Sequence, residues 1–197
     1  GSSFGRLGLH NKPEQIHAAK VGSNTYGRTQ FMHMNHKVRG KFSADYLIPL
    51  GKIYWEDSLT HISDYSQHQR MFDGTISTSF QTKKNEINVK TWFDATARDL
   101  VVISIEIGEE PLSVMYDPQK VINVHYKQQF VKDISFEKTG DYWKVNTSCA
   151  GSSSEVFIRS SVEAEELDGK LKINLQKGKN TIFISLNDTS ETTLKES

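Results

Sequence analysis

From about residue 42 to residue 187 the chain alternates apolar and polar positions in short runs rich in β-branched and aromatic residues. Successive side chains of an extended backbone point to opposite faces, so each run reads as a half-buried strand. In Thr75–Gln81, Ile76, Thr78 and Phe80 share a face; in Asp99–Ile107, Ile103, Ile105 and Ile107 do, with Ser104 and Glu106 opposite. The same signature marks Phe42–Ile48, Leu50–Glu56, Glu86–Phe93, Lys120–Tyr126, Asp141–Thr147, Glu155–Ser161, Leu171–Leu175 and Asn180–Asn187. About ten strands are therefore expected. The core should hold Ile76, Phe80, Ile103, Ile105, Ile182 and Ile184.

Between the runs stand Asp73-Gly74, Lys83-Lys84-Asn85, Thr139-Gly140-Asp141, Asp168-Gly169-Lys170 and Lys177-Gly178-Lys179, all suited to tight turns. Consecutive hairpins build an antiparallel sheet. Nowhere do strands alternate with helical segments of about 10–15 residues, which argues against doubly wound and TIM-barrel folds. Only Pro13–Val21 reads as a helix, with Asn11 as its cap and Gly22 past its end. The expected fold is all-β, an antiparallel β-sandwich with at most short helices. One domain is read over residues 1–187, and the polar stretch 188–197 reads as a linker or tail toward a further C-terminal region.

Charge narrows the classes of partner. The 24 Lys and Arg balance 24 Asp and Glu over 197 residues, with no block of like charge, so neither nucleic acid nor a membrane is an expected partner. No apolar run approaches the ~18 residues of a membrane span. A start at Gly1-Ser2-Ser3 without Met reads as a cloning remnant, which leaves room for a removed signal peptide and fits a periplasmic or secreted location.

Catalytic and metal chemistry find little support. The single cysteine, Cys149, excludes an internal disulfide and multi-cysteine metal sites, and its place between a strand and a Ser/Gly loop favours a structural role. His33 and His36 are the one close histidine pair, but a step of three residues along a strand sends them to opposite faces. His61 and His68 flank a polar stretch read as loop. No metal and no cofactor is expected. Phosphate-loop, dinucleotide, nucleophile-elbow and zinc-protease motifs are absent. Glu56-Asp57, Glu109-Glu110 and Glu163, Glu165 and Glu166 fall at strand ends or in loops where solvation accounts for them. No catalytic residue is assigned.

The aromatic residues carry more. In Tyr54-Trp55, Trp92-Phe93 and Tyr142-Trp143 the alternation turns one ring of each pair away from the other, so one reaches a surface or a second sheet. A flat ring at a surface can stack on a sugar. Trp55, Trp92, Trp143 and Tyr65 are the candidate carbohydrate-binding residues.

A longer pattern runs from Tyr46-Leu47-Ile48-Pro49-Leu50-Gly51 through Asp64–Phe80, with Arg70 three residues before Asp73 and Gly74, then Val89–Ala95 and Leu100–Ile105. It resembles the N-terminal β-sandwich (supersandwich) domain of (α/α)6-barrel glycoside hydrolases, of the family 95 α-L-fucosidase type and its relatives. Lys170–Leu186 resembles the closing strand pair of such domains. Two departures stand out: Phe72 replaces the usual Leu before the turn aspartate, and Gly5-Arg6-Leu7-Gly8 is all that remains of the usual glycine-rich start. In those hydrolases the acid and base lie in the helical barrel. The resemblance therefore implies a non-catalytic accessory domain, whose partner is the catalytic helical-barrel domain of the same polypeptide. Two alternatives stand beside it: a free-standing carbohydrate-binding module, and a structural or adhesion domain of a cell-surface protein.

Overall fold

The computed structural model describes residues 31–35, 46–57, 59, 61–95, 100–123, 129–149 and 152–186. The helix expected at Pro13–Val21, His36 and the tail 188–197 lie outside the described residues. Among the described residues the chain forms strands and no helix. In chain order they are β1 (Phe31–Asn35), β2 (Tyr46–Trp55), β3 (Ser63–Arg70), β4 (Thr75–Gln81), β5 (Glu86–Phe93), β6 (Leu100–Ile107), β7 (Leu112–Asp117) and β8 (Val121–Asn123). There follow β9 (Gln129–Val131), β10 (Asp133–Thr139), β11 (Tyr142–Cys149), β12 (Ser152–Ser160), β13 (Ala164–Leu167), β14 (Lys170–Leu175) and β15 (Gly178–Leu186).

Two antiparallel sheets pack face to face, as the alternation requires. One has five strands in the order β1-β2-β7-β14-β13, and the other eight in the order β10-β11-β12-β15-β6-β5-β4-β3. β8 and β9 form a separate two-stranded ribbon. Leu50, Val114, Tyr116, Leu171, Ile173 and Leu175 of the smaller sheet meet Phe80, Ile87, Ile105, Ile107, Ile182 and Ile184 of the larger. Each such side chain gains about 1.5–3 kcal/mol by leaving water. Four of the six expected core residues, Phe80, Ile105, Ile182 and Ile184, are buried. Ile103 packs against the core but is only partly buried. Ile76 is also only partly buried, because its cross-strand neighbours are Gln69 on the edge strand β3 and Thr91 on β5, and neither is an apolar side chain.

The described part of the run Phe42–Ile48 and the run Leu50–Glu56 prove to belong to one strand, β2 (Tyr46–Trp55), that passes through Pro49. Proline offers no N–H to a ladder, and the pairing with β1 is irregular between Phe31 and Met32, where Met32 faces Pro49. Gly51 is required for a different reason. The Tyr116 ring lies over it, with its hydroxyl donating to the Leu50 carbonyl at 3.0 Å, and a Cβ on residue 51 would sit 2.5 Å from that ring.

One end of the sandwich is closed by a buried amide. Asn85 Oδ1 accepts from the Glu109 and Glu110 N–H groups at 2.9 and 2.8 Å, and its Nδ2 donates to the Glu110 carbonyl at 3.1 Å. This ties the β4–β5 hairpin to the β6–β7 connection. The opposite end carries the β3–β4 turn, where Met71 is 78 % and Phe72 99 % exposed. Arg70 pairs with Asp73 at 3.2 Å, the Thr75 N–H donates to Asp73 Oδ1 at 3.1 Å, and Gly74 supplies the left-handed φ of 65°. Phe93, Val131 and Leu167, also exposed, fall at this same end.

Candidate functional site

The strands that build the core also present a second face, directed away from the smaller sheet. Register fixes its membership. Across β3, β4 and β5, Ser66 and His68 lie opposite Ser79 and Ser77, which lie opposite Asn88 and Lys90. Across β5, β6 and β15, Asn88, Glu106 and Lys179 form one rung, and Lys90, Ser104 and Thr181 the next. All of these polar side chains except Thr181 line a groove of about 460 Å³. Ser66 and Ser79 share a hydroxyl–hydroxyl hydrogen bond of 2.7 Å at one side of it.

One rung further along, the same face turns aromatic. Trp92 lies opposite Val102, which lies opposite Phe183. Leu100, Val102, Tyr142 and Phe157 form a buried cluster here, with Trp92 and Phe183 packed against it. Cations cover the rings: Lys90 Nζ is 5.4 Å from the Trp92 centroid, Lys144 Nζ 5.7 Å from that of Phe157, and the Arg159 guanidinium 5.9 Å from that of Phe183. Such contacts are electrostatic attractions to the ring face. Lys144 and Arg159 are also held by carboxylates, Glu155 at 2.6 Å and Asp141 at 2.9 Å. Lys90 and Lys179 have no ion-pair partner among the described residues, although Lys179 stands directly across from Glu106.

The four candidate aromatics do not converge. Trp92 is half-buried on the outer face, at the border between the groove and the aromatic cluster. Trp55 points between the sheets, edge-on to Phe80 at 6.3 Å and 83°. Trp143, opposite Ile158, packs against the same core, with Lys138 5.6 Å from its ring. Tyr65 is 60 % exposed on β3, within an irregularity of register between Ser63 and Ser66. Strand parity decides these places: it turns Trp55 and Trp143 inward and Trp92 outward. The partner of Trp55, Tyr54, accepts a 3.0 Å hydrogen bond from Lys170 Nζ, which raises the lysine pKa above its ordinary value.

The remaining candidates are dispersed. His61 and His68 are exposed, and His68 lies on strand β3 rather than in a loop. Cys149 ends β11. Among the described residues no group of three or more His, Cys, Asp or Glu side chains is placed to hold a metal ion, and no helix is long and apolar enough to cross a membrane.

Sequence reasoning missed the groove residues Ser77, Ser79, Asn88, Lys90 and Lys179 as a site. Their signal was the polar half of each alternating run, Ser77/Ser79 beside Ile76/Phe80 and Ser104/Glu106 beside Ile103/Ile105. What was missing was the register that sets these halves side by side. No protein-family model matches the sequence, and no curated protein matches it.

Proposed function

We propose that this chain is a non-catalytic, carbohydrate-binding β-sandwich domain, accessory to a glycoside hydrolase of the helical-barrel type. The observation that carries the binding reading is the outer-face groove with Trp92 at its border. Serine hydroxyls and the Asn88 amide both donate and accept, which matches the hydroxyls of a sugar. An indole ring beside them, uncovered when the Lys90 ammonium above it swings aside, offers the apolar face on which a pyranose stacks. Among the lining residues Glu106 is the single carboxylate, whereas glycoside hydrolysis ordinarily uses a pair. The groove's chemistry is therefore that of binding.

Titration calorimetry with oligosaccharides tests this directly. Trp92→Ala should weaken binding about two- to tenfold, in the range of a lost ring contact. Trp55→Ala and Trp143→Ala should lower stability and leave the affinity of the folded protein unchanged. Full affinity in a folded Trp92→Ala variant would overturn the reading.

The accessory half rests on the resemblance in strand order and on the apolar end of the sandwich. Met71 and Phe72, exposed on a turn braced by Arg70 and Asp73, suit docking against a neighbouring domain. If they dock, Phe72→Ser in the full-length gene product should uncouple the melting of the sandwich from that of the barrel. Unchanged joint melting counts against this docking face.

A further inference from the structure

We infer that the outer-face groove selects oligosaccharides that carry carboxylates, of the uronate class, over neutral ones. This rests on the groove being a glycan site and goes further by assigning its charge preference. The chain as a whole is neutral, but the groove is not: Lys90 and Lys179 against Glu106, two positive charges less one negative, leave an excess of one positive charge. Neither lysine is neutralised by an ion pair among the described residues. Lys144 and Arg159, on the aromatic half of the same face, are each held by a carboxylate. The groove is where this face leaves cations available to a ligand.

The positions of the lysines set the kind of anion. Lys90 stands on β5 and Lys179 on β15, diagonally across β6, roughly 12 Å apart on the strand spacing and rise of a sheet. Lys90 Nζ lies over the Trp92 ring at 5.4 Å, so a sugar that displaces it from that indole brings a ring carboxylate within reach of the ammonium. Two separated single cations match single carboxylates spread along a chain of sugars. A densely sulfated chain would bring negative charge against Glu106, which lies between the lysines. Lysine acts as a point charge, and no arginine lines the groove to offer the fork that suits sulfate and phosphate.

The experiment compares an oligogalacturonate, the neutral oligogalactoside of equal length and a sulfated oligosaccharide, by calorimetry at low and moderate salt. The oligogalacturonate should bind roughly fivefold or more tightly than the neutral chain, a gap that added salt narrows. Lys90→Gln and Lys179→Gln should each remove much of that gap, while Lys52→Gln on the five-stranded sheet should not. Equal binding of acidic and neutral chains, or lysine variants without effect, overturns the charge preference and leaves the glycan site standing. Preference for the sulfated chain overturns the uronate assignment. Binding of no oligosaccharide overturns the preference and the glycan site together.

Discussion

The core face of the eight-stranded sheet and the groove on its outer face are made from the same strands and share almost no chemistry. On the inner face Phe80, Ile87, Ile105, Ile107, Ile182 and Ile184 are buried against the smaller sheet. On the opposite side of these strands, Ser79, Asn88, Ser104, Glu106 and Lys179 line an open groove. An alternation of period two thus separates stability from recognition within one layer of backbone. Substitutions in the core and in the groove should accordingly move different observables.

The largest effect should come from the inner face. Ile182→Ala removes a fully buried side chain from the centre of the sandwich and should cost about 2–5 kcal/mol in urea unfolding, with oligosaccharide affinity unchanged in the folded protein. Its converse, Lys90→Gln in the groove, should stay within about 0.5 kcal/mol of the parent stability. A loss as large as that of Ile182→Ala would show that the groove residues also hold the fold together.

Ser185 sharpens the contrast because register puts it on the outer face, yet it is completely buried. It lies between Leu100 and Phe157, and its hydroxyl has no hydrogen-bond partner among the described residues. Desolvating a hydroxyl without a partner is unfavourable, so Ser185→Ala should raise stability by about 1 kcal/mol, read as a higher thermal midpoint. A destabilised variant would mean that the hydroxyl is satisfied after all.

The smallest effect concerns pH at the β3–β4 turn. The Thr75 N–H, with help from the Arg70 charge, holds the Asp73 carboxyl below its ordinary value of 3.8. A folded pKa below the unfolded one adds stability above about pH 4, which is lost as the pH falls through the folded value. Because the group is exposed, the change should be visible by NMR titration of the side chain and barely visible in unfolding. Arg70→Ala should move the Asp73 midpoint upward, and no movement would remove the ion pair from the account.

Much of the fold was legible because most buried strands alternate. Thr75–Gln81 and Glu86–Phe93 coincide with β4 and β5, and Asp99–Ile107 differs from β6 by one residue. The strands that escaped lack that signature for physical reasons. β3, Ser-Asp-Tyr-Ser-Gln-His-Gln-Arg, is an edge strand exposed over most of its length and so needs no apolar side. β7 has Val114, Met115 and Tyr116 consecutively buried, so both of its faces are apolar there and no alternation marks it. The site was less legible. Trp92 was among the candidates, but its neighbours Ser77, Ser104 and Lys179 come from two separate runs and a stretch read as a turn, and only pairing between strands brings them together.

The character of the eight-stranded sheet's two borders governs how copies of this domain meet one another. An uncovered strand is a template on which another chain can pair and polymerise. At one border β3 breaks its own register between Ser63 and Ser66, and Asp64 adopts a left-handed φ of 50°. At the other border β10 sets Asp133, Glu137 and Lys138 in solvent. A kinked, polar border and a charged one both make poor partners for a flat incoming strand. The broad sheet therefore resists growing sideways into filaments, even at high local concentration.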